Sequence, residues 1–166
     1  MQLEAMAMKF PHVEGHPNRV PFEGVLTVVN TASDKAPAGA RGHRVILTRE
    51  AAEKALPSLL GMAVDYRPGW DGHDARRKIG LLTEADLSGH RLVVRGYLYA
   101  RDFPEVAESI QARSPEAMGM SYELADARVE DMRAEIWKLT RVTFTGAAIL
   151  LREKAAYRTT SFRMAS

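Results

Sequence analysis

The chain has 166 residues, 46% of them hydrophobic and 27% charged, with 23 Lys and Arg against 21 Asp and Glu and no cysteine. That length buries about two thirds of the unfolded-chain surface around one core, and the lack of Cys excludes structural disulfides, thiolate nucleophiles, Cys-ligated zinc and iron–sulfur clusters. A formal charge of +2 does not argue for nucleic acid, the longest apolar run, residues 147–151, is far short of the ~20 residues that span a bilayer, and the leading MQLEAMAMKF lacks the pattern of an export signal, so a cytoplasmic protein is expected.

No repeat or low-complexity segment divides the chain, so one domain is expected over residues 1–166, with its core at 22–157 and tails outside it. The first strand is predicted over residues 22–29, where FEGVLTVV is rich in β-branched side chains. Residues 33–43, with two Gly and a Pro, read as a solvated loop before a short strand at 44–47. Thr48 is placed to cap a helix over 48–60 that Gly61 stops, and Pro57 is expected to end or kink it early. After the apolar run 62–64, the stretch DYRPGWDGHDARRK reads as a loop carrying His73. Alternating strands at 79–87 and 91–100 are joined by the hairpin residues Ser88, Gly89 and His90. Asp102 is expected to cap a second helix over 103–113, followed by strands at 118–125 and 136–151, the last interrupted by a bulge or bend at Gly146. Strands joined mostly as antiparallel neighbours, with two helices, predict an α+β, mainly β, barrel-like domain with the helices packed outside.

The chemistry-bearing residues are few. Of the five histidines only His12 and His16 have the spacing of a zinc helix, and the flanking prolines and Gly15 argue against a helix there, so no metal site is expected. Phosphate-cradling, dinucleotide and GxSxG motifs are absent, and no cofactor is called for. What remains is a serine activated by a histidine, because a hydroxyl is a poor nucleophile at neutral pH until an imidazole accepts its proton. Ser121, among the apolar and small residues of AMGMSYEL, and His73, beside Asp71 and Asp74, are the candidates. The competing readings are a strand serine bonded to backbone and a solvated loop histidine.

Residues 61–80 (GMAVDYRPGWDGHDARRKIG), 92–113 (LVVRGYLYARDFPEVAESIQAR), 118–124 (MGMSYEL) and, more weakly, 137–157 resemble, in order and spacing, the prohead (capsid maturation) proteases of tailed bacteriophages, distant relatives of herpesvirus assemblin. The resemblance implies a herpesvirus-protease-like antiparallel β-barrel, with Ser121 as nucleophile and His73 as general base. Related phage enzymes carry an acid in a Glu-Val-Ser sequence on the following strand, where this chain has Arg141, Val142 and Thr143. Glu123, two residues after Ser121 and so on the same strand face, is the first choice for the third member. Glu135, Asp71 and Thr143, or a dyad helped by a hydroxyl or water, stay open.

Arg141 is a candidate oxyanion donor, with a surface arginine as the alternative. The cluster Arg76, Arg77 and Lys78 is either a contact for an acidic scaffold segment or a solvated strand start. The implied activity is serine endopeptidase cleavage of the phage scaffold protein, a segment of the major capsid protein and the protease itself, inside the prohead in the host cytoplasm. Self-association is left open, and no nucleic acid or membrane is implied. Family members are often made longer, so this chain is expected to be a processed or shortened form. The alternatives are a non-catalytic capsid-assembly module of the same fold and a small-molecule hydrolase using the same serine and histidine.

Overall fold

A computed structural model describes residues 10–165; the greater part of the leading segment read for an export signal lies outside them. Among them, no helix is long and apolar enough to cross a membrane. The described residues form eight strands and two α-helices: β1 (Val20–Val28), β2 (Arg44–Leu47), α1 (Arg49–Leu59), β3 (Ala63–Asp65), β4 (Lys78–Ser88), β5 (Arg91–Leu98), α2 (Pro104–Gln111), β6 (Met118–Val129), β7 (Ile136–Leu151) and β8 (Ser161–Met164). The fold is mainly β, as the alternating runs predict, and its one sheet curls into a half-barrel.

The sheet runs β2-β7-β3-β4-β5-β1-β8, with β6 on the other edge of β7. The long β7 organises it. One edge pairs antiparallel with β6, and the other pairs in parallel with β2 and then with β3. The other pairings are antiparallel, in keeping with the mostly antiparallel order expected. α1 links β2 to β3, which therefore run in the same direction along one edge of β7. The two end strands, β6 and β8, approach without a backbone ladder. Just before β8, the Thr160 hydroxyl accepts from the Met120 amide of β6 at 3.2 Å.

Several local readings change on the structure. α1 has Thr48 as its N-cap, with the hydroxyl accepting from Ala51 N at 3.2 Å, and Gly61 follows at φ +80°. The helix nevertheless runs through Pro57. Pro57 is exposed and in the last turn, so the carbonyl left without a donor faces water. Asp102 does not cap α2: Phe103 holds that position without a side-chain bond, and the Asp102 carboxylate instead accepts from Asn18 Nδ2 at 3.0 Å. The tail beyond residue 157 supplies β8, paired with β1, and Phe162 is buried against Phe22 with ring centroids 5.1 Å apart.

The core lies inside the curl, built by Phe22, Leu26, Leu82, Leu92, Val94, Phe144, Ile149 and Phe162 with Leu59 of α1. Packing there is tight enough that Gly96 has no room for a side chain, since a Cβ would lie 1.9 Å from the Leu81 carbonyl oxygen and 3.0 Å from the Phe22 ring. Gly96→Ala is expected to destabilise the fold by roughly 3 kcal/mol, the upper end for overpacking, measured as a lower urea midpoint at unchanged m-value. An unchanged midpoint would show that β4 and β5 do not approach this closely.

Candidate active site

Ser121 and Glu123 come from β6, where alternate side chains share a face. Tyr122 between them points the other way, edge-on to Phe144 at 5.7 Å. Gly146 faces Glu123 across the ladder, and a Cβ there would sit 3.2 Å from Glu123 Oε2. The ladder slips at this point, from Glu123 opposite Gly146 to Leu124 opposite Phe144, so the expected irregularity at Gly146 makes space for the carboxylate.

His73 lies on the loop between β3 and β4, and that loop is firmly held. Trp70 adopts φ +57°, which is rare for a bulky residue, and it is 5% exposed. Its carbonyl accepts from Leu151 N at 2.7 Å, its indole donates to Ser109 Oγ at 3.2 Å, and its ring leans on Tyr66 at 5.0 Å. Trp70 thus pins the loop to β7 and α2. Arg67 and Asp71 pair across it at 2.9 Å, and Asp74 N donates to Asp65 Oδ1 at 3.1 Å.

The loop brings His73 Nε2 to 3.0 Å from Ser121 Oγ. On its other side, Nδ1 is 2.8 Å from Glu123 Oε1. That contact is short but bent, and Nδ1 makes no hydrogen bond of good geometry. Burial holds the His73 pKa below its ordinary 6.5, against the opposing pull of the Glu123 carboxylate and with a further lowering by Arg67. The imidazole is therefore neutral near pH 7, the state in which it can accept a proton.

Asp65, at the end of β3, is the residue the sequence reading missed. Its Oδ1 is 3.7 Å from His73 Nδ1 and its side chain is 5% exposed. Burial, opposed by the Asp74 amide and reinforced by Glu123, raises its pKa to about 7. The available signal was an acid directly after the apolar run 62–64. Asp65, His73 and Glu123 keep ligand atoms within 4.8 Å of one another, so the same three groups can hold a cation.

A raised carboxyl pKa favours the protonated folded state, so its stabilising contribution is full below the ordinary 3.8 and is lost as pH rises through about 7. Asp65→Asn is therefore expected to raise the melting temperature at pH 8 and to have a smaller effect at pH 4. Thermal scans at the two pH values check this, and an equal shift at both would mean that Asp65 is not the group responsible.

The remaining candidates are not at the serine. Arg141 is exposed and faces Arg128, whereas Ser121 faces Ala148 far along β7. Thr143 faces Ala125, and Glu135 meets His43 through its backbone carbonyl at 2.9 Å. Asp71 borders the site but is engaged by Arg67. In the basic cluster, Arg77 pairs with Asp74 at 3.1 Å.

A groove of about 810 Å³ is lined by Gly72, His73, Ser121, Leu124, Met132 and Trp137, together with the loop at residues 35–41.

No family model matches the chain, and no curated protein does. Solved structures do. The KSHV protease, determined in complex with a hexapeptide phosphonate inhibitor, superposes with a TM-score of 0.56 at 12% identity, over 89% of this chain and 66% of that one. The bacteriophage T4 capsid assembly protease gives 0.53 at 13%, over 76% of this chain and 80% of that one. The chain thus spans slightly less than two thirds of the KSHV protein, and its fold is that of these two viral proteases.

Proposed function

We infer that this protein is a serine endopeptidase of phage head maturation. The observation that carries the reading is the continuous contact of Ser121 Oγ, His73 Nε2, His73 Nδ1 and Glu123 Oε1, at 3.0 and 2.8 Å, at one end of an open groove. Ser121 attacks the scissile carbonyl as His73 takes its proton, and the imidazolium that forms lies against the Glu123 carboxylate, which stabilises it. His73 then returns the proton to the leaving amine, and water, activated by the same imidazole, hydrolyses the ester on Ser121.

The length of the groove supports a peptide substrate over a small molecule. From Ser121 to Val129 it follows β6 for roughly 25 Å at the ordinary rise of a strand, enough for several extended residues. Glu123 beside His73 also weighs against a non-catalytic module, which the lack of an acid before Val142 slightly favours. The scaffold, a segment of the major capsid protein and the protease itself are the substrates of this reading, which locates the enzyme inside the assembling prohead in the host cytoplasm. The capsid-assembly role of the T4 protein of the same fold supports it.

Co-expression with the cognate capsid and scaffold proteins, as wild type and as Ser121→Ala, tests the proposal. Wild type is expected to yield shortened scaffold and capsid chains, insensitive to EDTA, and Ser121→Ala full-length ones. Identical uncut chains from both, under conditions where shells assemble, would overturn it.

A further inference from the structure

A second concavity, of about 530 Å³, lies between α1 and the far end of the β6–β7 ribbon. Its lining carries Lys54 from α1, Arg128 from β6 and Arg141 from β7, with the hydroxyls of Thr140 and Thr143 beside them and no acidic or aromatic residue. All three cations are exposed. Among the described residues none forms an ion pair.

The backbone sets these charges together against their repulsion. Ala125 faces Thr143 and Val129 faces Leu139 in the same register, yet between them Arg128 is one residue out and faces Arg141 instead of Thr140. Asp126, in the left-handed region at φ +52°, begins the displacement. Two compensating irregularities therefore flank one arginine pair. Like charges directly opposite on antiparallel strands are destabilising, and bulges commonly serve to re-aim a side chain at a functional surface. Elsewhere the sheet does the reverse: Arg95 stands between Glu23 and Glu84, at 3.0 and 3.4 Å.

We propose that this cleft binds a short acidic segment of a partner protein, whose carboxylates lie between Lys54, Arg128 and Arg141 and relieve their repulsion. A peptide fits better than nucleic acid. The lining has no aromatic platform for bases, and three cations in one cleft do not make the basic track that a phosphate backbone needs. The near-balanced charge of the whole chain agrees. The site is separate from Ser121 and requires no catalytic step.

The test uses the full chain carrying Ser121→Ala and a fluorescein-labelled hexaglutamate peptide, read by fluorescence anisotropy at low salt. Saturable binding that weakens with added NaCl is expected. Arg128→Ala with Arg141→Ala should weaken it at least tenfold, Lys54→Gln should weaken it less, and Arg76→Ala with Arg77→Ala should leave it within twofold. The Arg128/Arg141 variant should melt no lower than its parent, since it removes a repulsive pair, and the peptide should raise the melting temperature of the parent alone. Absence of saturable binding, equal binding by the Arg128/Arg141 variant, or tighter binding of an oligothymidylate of equal charge would each overturn the proposal. Because Ser121 is already replaced, these outcomes are independent of the protease reading.

Discussion

Ser121→Ala and His73→Ala are each expected to lower kcat for peptide-bond cleavage by about 10⁴-fold or more, and the double substitution no further than the worse single one. The lack of additivity is the informative part. Ser121 Oγ and His73 Nε2 are 3.0 Å apart, so each is useful only through the other: an unassisted hydroxyl is a weak nucleophile, and an imidazole with no hydroxyl to deprotonate has no acyl acceptor. Single-turnover assays on a capsid-derived peptide, with the two singles and the double, measure this directly. Multiplicative losses would mean two independent contributions and would break the relay. Folding does not confuse the result, because Ser121 is only partly buried and Ala fits its strand position. A melting temperature within a few degrees of wild type verifies that.

The same pair shows what was legible in the sequence. The strand character of MSYEL and the loop character of the segment around His73 follow from composition, and β7 has the bounds expected because strand-like residues flank Gly146 on both sides. That a loop residue and a strand residue 48 positions apart meet is a tertiary fact. It depends on Trp70 pinning the loop to Leu151 and Ser109, and nothing local announces a tryptophan with positive φ. Glu123 follows by strand alternation once Ser121 is chosen, and that choice rests on the resemblance. Asp65 was hidden because an acid ending a short apolar run looks like the first residue of a loop, whereas β3 is flanked by β4 and β7 and Asp65 is buried between them. β8 escaped for a related reason. Four residues carry too little periodicity, and their strand character comes from β1 offering a free edge.

Glu123→Gln is expected to reduce kcat by roughly 10²- to 10⁴-fold, the upper figure being the loss seen when the acid of a serine–histidine relay becomes an amide. Its effect on the pH profile separates orientation from mere structure. In wild type the carboxylate raises the His73 pKa against the larger lowering by burial, and the net position is below 6.5. The acidic limb of kcat/KM, which reports the free enzyme's base, should therefore lie below pH 6.5. Removing the negative charge leaves burial and Arg67 unopposed, so the limb should move to still lower pH while the plateau falls. Asp65 cannot restore the plateau in the variant: its oxygen is 3.7 Å from Nδ1, beyond hydrogen-bond reach. Asp65→Asn should have the smaller effect on kcat at neutral pH. A Glu123→Gln enzyme with a lowered plateau but an unmoved limb would assign Glu123 a packing role, and Asp65→Asn causing the greater loss would make Asp65 the orienting acid.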